Sequence, residues 1–150
     1  MASVETAARR TTGPTAILRL LRLRQWVKNG FVLAPLFFGV ELLNRQALLH
    51  AAAAFAIFCL VSSAVYLFND WRDIEADRGH AEKKHRPLAS GAVSLGAAAF
   101  LFAALAGLAA AIGVAADLPR GFYVTLAIYV AINVAYSLGL MQVSLLELFL

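Results

Sequence analysis

The sequence is poor in charge and in cysteine, and each shortage excludes a class of protein. Charged residues make up 15% of the 150-residue chain and hydrophobic residues 61%, whereas a soluble domain has about 25% charged residues. So much apolar surface exceeds what one buried core takes up, which indicates a second apolar solvent, the lipid bilayer. Cys59 is the only cysteine, so a disulfide framework or a paired-thiolate metal site is excluded. The sequence also lacks Walker A, GxSxG, CxxC and HExxH patterns and any nucleic-acid-binding motif.

Long apolar runs are abundant. A spanning helix needs about 20 mostly apolar residues. Four runs approach this length, at 26–43, 48–68, 92–116 and 122–140, and 145–150 reads as the start of a fifth. Pro35 predicts a kink in the first run. We therefore predict an all-α, polytopic transmembrane helix bundle over 16–150, preceded by a flexible lead-in over 1–15.

Basic residues are clustered rather than spread. Of the 13 Lys and Arg residues, six lie in 1–28 and five in 70–90. Two predicted spans separate these segments, so both belong on the same side of the membrane. Because cytosolic loops carry an excess of Lys and Arg, we predict an integral cell-membrane protein whose N-terminus and 70–90 loop are cytosolic.

An acidic motif opens the 70–90 loop. If the second helix continues through it, Asn69, Asp70, Asp73 and Asp77 fall within an arc of about 100°. Carboxylates at this spacing repel one another, and Mg²⁺ binds carboxylate oxygens together with substrate phosphates. The three aspartates therefore predict a Mg²⁺ site for a diphosphate-bearing substrate. The competing interpretation is a solvated connection between two spans.

Other polar residues accompany the motif. The basic residues predicted to contact phosphate oxygens are Lys28, Arg78, Lys83, Lys84 and Arg86. His80 and His85 lack a metal-binding spacing, which favours ordinary loop histidines. In the fourth run, Asn133 and Tyr136 lie one turn apart and either line a substrate cavity or form hydrogen bonds between helices.

The pattern Asn-Asp-x-x-Asp-x-x-x-Asp over 69–77 resembles the first acidic motif of the UbiA-type membrane prenyltransferase superfamily. The stretches 77–80 and 83–91, the entry segment 23–29 with Ala34-Pro35, and Tyr136-Ser137 are also similar to that family. The branch that they resemble most contains decaprenyl-phosphate phosphoribosyltransferases. The resemblance extends from about residue 18 to the end of the chain.

The resemblance implies a nine-helix bundle around a central cavity, with one acidic motif in each half. The only acids after Asp77 are Glu82, Asp117 and Glu147, so a second motif is missing. We therefore expect the chain to be the N-terminal half of a longer protein, with about half of the nine-helix fold.

The resemblance also implies an activity, which is Mg²⁺-dependent transfer of a phosphoribosyl group from phosphoribosyl diphosphate to a polyprenyl phosphate. The implied catalytic and metal-binding residues are Asp70, Asp73 and Asp77. The implied substrate-binding residues are Lys28, Asn69, Arg78, Lys83, Lys84, Arg86 and Tyr136. Two alternatives stay open: prenyl transfer from a polyprenyl diphosphate to an aromatic acceptor, and a small membrane scaffold or ion-handling protein without enzymatic activity.

Overall fold

The computed structural model describes residues 13–39 and 42–138, and all regular structure in these ranges is helical, as predicted. The elements in chain order are α1 (Pro14–Leu21), a long 3-10 helix (Leu23–Leu33), α2 (Ala34–Phe38), α3 (Arg45–Arg72), α4 (Ile74–Gly79), a short 3-10 helix (Lys83–His85), α5 (Leu95–Ala116) and α6 (Arg120–Ser137).

Helix α3 is the centre of the assembly. The side chain of Asn44 caps its start by accepting hydrogen bonds from the backbone N–H groups of Gln46 and Ala47, at 3.0 and 3.2 Å. Its 28 residues extend over about 42 Å at 1.5 Å per residue. Because α1, the long 3-10 helix, α5 and α6 all pack against it, α3 positions these four elements.

Helix α5 buries only one of its sides. Ser94 caps its start, and its buried residues are Ala98, Leu105, Ala109 and Gly113. Phe100 and Val114 are 77% and 85% exposed. A helix that is apolar all round but buried on one side needs an apolar environment for the other side. In the described residues, α3 and α5 are long and apolar enough to cross a membrane, with mean hydropathies of 2.2 and 2.3.

Two hydrophobic clusters lie at opposite ends of α3. The first contains Ala16, Leu20, Leu67, Leu88, Val93 and Ala98. It therefore joins α1 and the start of α5 to the end of α3 that carries the acidic motif. The second is built around Ala54, Ile57, Ala109 and Leu118 near the other end. The first cluster fixes the loop that follows the acidic motif.

The predicted span over 26–43 is helical over 26–38 in the structure, but it changes from a 3-10 helix to an α-helix within that range, and residues 40 and 41 lie outside the described ones. The long 3-10 helix ends at Leu33, and α2 ends at Phe38. The physical reason lies in polar contacts with α3. Trp26 Nε1 donates to Ser63 Oγ at 3.0 Å, and Asn29 Nδ2 donates to Ser62 Oγ at 3.2 Å. These contacts hold the segment against α3 in a backbone form that the apolar pattern does not reveal.

The other predicted spans correspond to helices. The runs 48–68, 92–116 and 122–140 match α3, α5 and α6, although α3 begins earlier and extends further than its run. The predicted start of a fifth span lies outside the described residues. Residues 1–12 of the predicted lead-in also lie outside them, and α1 begins within the rest, at Pro14.

Candidate active site at the charged end of α3

The acidic motif lies across a helix interruption. Helix α3 ends at Arg72, and Asp73 adopts φ −92° and ψ 9° before α4 begins. Backbone hydrogen bonds still cross the interruption, from Asp73 N to Asn69 O at 3.0 Å and from Asp77 N to Asp73 O at 2.8 Å. The motif is therefore not one uninterrupted helix, which the predicted arc of four residues assumed.

Asp70 and Asp77 form the buried centre of the site. Their residues are only 4% and 3% exposed. Arg86 Nη1 joins them, because it donates to Asp70 Oδ1 at 3.1 Å and to Asp77 Oδ2 at 2.8 Å. Arg22 Nη2 donates to the same Asp70 oxygen at 2.6 Å, and the Arg22 guanidinium carbon lies 4.6 Å from the ring centroid of Tyr66. Two buried negative charges are thus matched by two guanidinium groups, as buried ions require.

Asp73 lies apart from this cluster. Its Oδ1 accepts from Arg72 Nη2 at 2.7 Å and from Arg72 Nε at 2.8 Å, and both side chains are more than one third exposed. The pair is local, since the two residues are neighbours in sequence. The structure therefore brings together two of the three predicted aspartates and leaves Asp73 outside their shared contacts.

The loop after α4 places Arg86. Arg86 N donates to Lys83 O at 2.9 Å, and Ser90 N donates to Arg86 O at 2.9 Å. Leu88 is 3% exposed within the first hydrophobic cluster, so the loop is anchored next to the arginine. The turn ends at Gly91, whose φ of 74° is a conformation that glycine adopts without strain.

Asn69 connects the site to α6. Its Oδ1 accepts a hydrogen bond from Ser137 Oγ, and Ser137 is buried at the end of α6. Sequence reasoning missed two of these contacting residues, Arg22 and Ser137. A signal existed for each: Arg22 belongs to the basic segment predicted on the same side as the loop, and Ser137 follows Tyr136 in the family-like pair.

The remaining predicted substrate-binding residues have exposed side chains. The side chains classed as exposed are those of Lys28, Lys83, Lys84 and Tyr136. Arg78 is also exposed; its Nη1 donates to Glu75 at 2.7 Å and its Nε to the Ala89 carbonyl at 3.2 Å. Of the predicted basic residues, Arg86 is the one that contacts both Asp70 and Asp77. The roles of all these residues stay predictions.

Two polar residues with open interpretations form local contacts. His80 Nδ1 accepts from the backbone N–H groups of Glu82 at 3.2 Å and Lys83 at 3.5 Å. This contact is typical of an ordinary loop histidine. Asn133 Nδ2 donates to Tyr129 O at 2.8 Å within α6, so the contact that it forms is with its own helix rather than with a neighbouring one.

Two of the three predicted aspartates fit a hard divalent cation, and the third is not part of the same arrangement. Among the described residues, no group of three His, Cys, Asp or Glu side chains is arranged to hold a metal ion. Asp70 and Asp77 nevertheless direct one oxygen each to a single cationic nitrogen, Arg86 Nη1. Mg²⁺ commonly uses one or two carboxylates and takes its other ligands from substrate phosphates and water. Asp70 and Asp77 fit that arrangement, and a three-carboxylate site is not formed.

Comparison with known proteins identifies the family. The UbiA prenyltransferase family matches residues 30–150, which is most of the chain. The chain belongs to the UbiA prenyltransferase family, and it is therefore an integral membrane protein from a family of transferases.

Individual relatives agree with this assignment. The decaprenyl-phosphate phosphoribosyltransferase of Corynebacterium glutamicum is 38% identical over 125 residues, covering 82% of this chain and 38% of the relative. That of Mycolicibacterium smegmatis is 36% identical over 152 residues, covering 94% and 46%. The UbiA prenyltransferase claS of Ampulloclitocybe clavipes is 34% identical over 96 residues, covering 59% and 31%. The chain spans less than half the length of these relatives.

Proposed function

We propose that this protein catalyses transfer of a phosphoribosyl group from phosphoribosyl diphosphate to a polyprenyl phosphate in the membrane, with Mg²⁺ as cofactor. The proposal concerns the whole protein, because this chain spans less than half the length of the relatives that it matches. Two relatives that align with more than four fifths of this chain are named as phosphoribosyltransferases acting on a polyprenyl phosphate. These names favour phosphoribosyl diphosphate over a polyprenyl diphosphate as the donor substrate.

One observation carries the proposal: Asp70 and Asp77 are buried and share the cationic nitrogen of Arg86. A buried ion pair is weak evidence for stability, because similar volumes of apolar side chains are often as stable. Two buried carboxylates with two arginines at the end of an apolar helix therefore need another explanation. Binding of a diphosphate with Mg²⁺ supplies that explanation, because the carboxylates would bind the cation and the arginines would bind the diphosphate.

The four charged side chains allow an exchange of partners. With substrate absent, the carboxylates of Asp70 and Asp77 neutralise Arg22 and Arg86. With substrate present, the carboxylates would bind Mg²⁺ and the guanidinium groups would bind diphosphate oxygens, where bidentate hydrogen bonds are favourable. Every buried charge keeps a partner in both states. The cost of an unpaired buried charge, about 3–5 kcal/mol, is therefore avoided.

The transfer itself needs little acid–base chemistry. An anionic oxygen of the polyprenyl phosphate attacks C1 of the ribose, the bond from C1 to the diphosphate oxygen breaks, and diphosphate leaves with the electron pair. When bound, Mg²⁺ neutralises the charge that develops on the leaving diphosphate. Arg22 and Arg86 would add fixed positive charge beside the same oxygens. The acceptor is already ionised, so no general base is required.

The predicted roles of Lys28, Lys83 and Lys84 fit the approach of the substrate, and that of Asp73 fits the bound state. Their side chains are at least partly exposed at or near the charged end of α3 or on the preceding 3-10 helix. Exposed cations attract an anionic substrate from solution and raise its rate of association. We propose this role for the three lysines, whereas Asp73 would add a carboxylate once the substrate has bound.

The test uses membranes that contain the protein as encoded, phosphoribosyl diphosphate labelled in the ribose, and a polyprenyl phosphate. Label is expected to enter the lipid fraction, to stop when EDTA removes Mg²⁺, and to resume when Mg²⁺ is restored. Asp77→Asn should reduce the rate by at least about 100-fold, in the range of lost electrostatic stabilisation. Glu82→Gln is the matched control, since Glu82 is an exposed acid of the same loop. An active Asp77→Asn protein would contradict the proposal.

A second reaction is favoured by the family itself and by the relative from Ampulloclitocybe clavipes that is named as a UbiA prenyltransferase. In this alternative, a polyprenyl diphosphate is the donor and an aromatic ring the acceptor. The same membranes separate the two: label from phosphoribosyl diphosphate stays in the aqueous fraction, while a labelled polyprenyl diphosphate is consumed. A scaffold or ion-handling protein would show neither reaction in wild type.

A further inference from the structure

The charged end of α3 carries a second feature, a pair of adjoining cavities that neither Asp70 nor Asp77 lines. One is a groove of about 620 Å³ between α3 and α5, and its lining is apolar throughout, with Leu67, Phe68 and Phe102 among its residues. The other is a pocket of about 410 Å³ whose lining includes Arg72, Glu75 and Arg78. Trp71 and Leu95 line both cavities.

The two cavities differ in polarity in the way that the two parts of a lipid differ. The groove runs between the two helices that are apolar enough to cross a membrane. Trp71 lies at the junction and is 53% exposed, and tryptophan is enriched where the acyl region of a bilayer meets the headgroups. The apolar groove suits the long acyl chain of a lipid, and the polar pocket that Trp71 also lines suits its headgroup.

The pocket has a positive formal charge and can accept an anion. Two arginines and one glutamate line it, which gives the lining a formal charge of +1; Asp73, the partner of Arg72, lies outside the lining. Arg72 is paired with Asp73 and Arg78 with Glu75, both at 2.7 Å, and the two arginine side chains are 37% and 52% exposed. Exposed ion pairs contribute little to stability. A phosphate group can therefore replace the carboxylates as partner of these arginines at little cost.

We propose that the groove and the pocket together bind one anionic phospholipid of the surrounding bilayer. An acyl chain lies in the groove between α3 and α5, and the headgroup phosphate contacts Arg72 and Arg78. This site is separate from the Asp70–Asp77 cluster, and it stands whether or not the proposed transfer reaction is correct. It also gives Arg78 a function, since its contacts direct it away from the two buried carboxylates.

The test measures quenching of Trp71 fluorescence by phospholipids with brominated acyl chains. The protein as encoded is reconstituted into phosphatidylcholine vesicles that contain a small fraction of brominated phosphatidylglycerol or, separately, brominated phosphatidylcholine. The difference between wild type and Trp71→Phe isolates the emission of Trp71. Brominated phosphatidylglycerol should quench Trp71 about fivefold more effectively per mole, the factor expected for one net positive charge beside an anionic lipid.

Charge-matched variants complete the experiment. Arg72→Gln/Arg78→Gln should bring the preference to about one, and Arg72→Lys/Arg78→Lys should retain most of it. Arg45→Gln/Arg120→Gln removes the same charge from the other end of the described bundle and should leave the preference unchanged. Equal quenching by both lipids in wild type, or a preference that survives in the glutamine variant, would overturn the proposal. Absence of quenching by either lipid would also overturn it, because protein would then cover the groove.

Discussion

The two ends of α3 treat polar groups in opposite ways. At the start of the helix, Asn44 caps backbone N–H groups two and three residues ahead. At the other end, Asp70 is buried and is held by Arg22 and Arg86, which lie 48 and 16 residues away in the chain. The first arrangement is local and completes a helix. The second needs the tertiary fold, and it concentrates charge where the helix meets the loop.

This difference indicates which polar residues of an apolar helix bundle are expected to be functional. A local cap stabilises a helix by about 1 kcal/mol and has no need of burial. Buried carboxylates cost free energy when they leave water, and the cost is recovered only through well-placed partners. A chain that retains such a cluster is expected to use it. The comparison therefore predicts large functional effects at one end of α3 and small, purely structural effects at the other.

The largest effect is expected from Arg86→Met. This change leaves Asp70 and Asp77 with one guanidinium between them, and breaking a buried pair costs about 3–5 kcal/mol. We expect loss of nearly all transfer activity and a clear decrease in the free energy of unfolding, measured by titration with denaturing detergent. Arg120→Met, at the start of α6, removes a cation classed as exposed and should alter neither. Equal activity and equal free energy of unfolding in Arg86→Met and Arg120→Met would contradict the proposed difference between the two ends of α3.

An intermediate effect is expected from Ser63→Ala. Ser63 Oγ donates to Leu21 O at 2.6 Å and accepts from Trp26 Nε1 at 3.0 Å. Its loss leaves two part-buried polar groups without partners, which costs about 2 kcal/mol. Because Leu21 precedes Arg22, the transfer rate should also fall several-fold. Detergent unfolding and the labelled-donor assay measure the two effects.

Ser90→Ala is the matched control for that change, since Ser90 is exposed in the loop and its Oγ lies 3.4 Å from Pro87 O. It should cost much less than Ser63→Ala. Equal stability of the two variants would show that the contacts between α3 and the preceding 3-10 helix do not hold that segment in place.

The smallest effect is expected from Asn44→Ala. Removal of the cap should decrease the free energy of unfolding by about 1 kcal/mol. The activity at saturating substrate should not change, because Asn44 caps the end of α3 remote from the charged cluster. A loss of activity comparable to that of Asp77→Asn would contradict the separation of the two ends.

Much of the architecture follows from the sequence alone. The runs 48–68, 92–116 and 122–140 predict α3, α5 and α6 because long apolar segments have few alternatives to a helix in a bilayer. The same reasoning predicted a helix over 26–43 but not that its first part, up to Leu33, is a 3-10 helix. Its backbone follows hydrogen bonds from Trp26 and Asn29 to serines of α3, and such tertiary contacts leave no trace in hydropathy.

The arrangement of the charged residues was predicted only in part, because helical spacing describes one element and not its contacts with others. The helical spacing predicted that Asp70 and Asp77 lie close together, and in the structure both contact Arg86 Nη1. It did not foresee that α3 ends at Arg72, which leaves Asp73 paired with its neighbour. Arg22 lies between α1 and the long 3-10 helix, and its contact with Asp70 depends on how these two elements pack against α3. Local periodicity does not determine that packing.

The most direct test of the exchange of partners uses Mg²⁺ and inorganic diphosphate, since both candidate reactions release diphosphate. Thermal unfolding of the protein as encoded is followed in detergent with each ion alone and with both together. Both together should stabilise wild type and Glu82→Gln, by about 2.7 kcal/mol at 100 times the dissociation constant, and should not stabilise Asp77→Asn. Equal stabilisation of Asp77→Asn and wild type would contradict the assignment of this cluster as the diphosphate site.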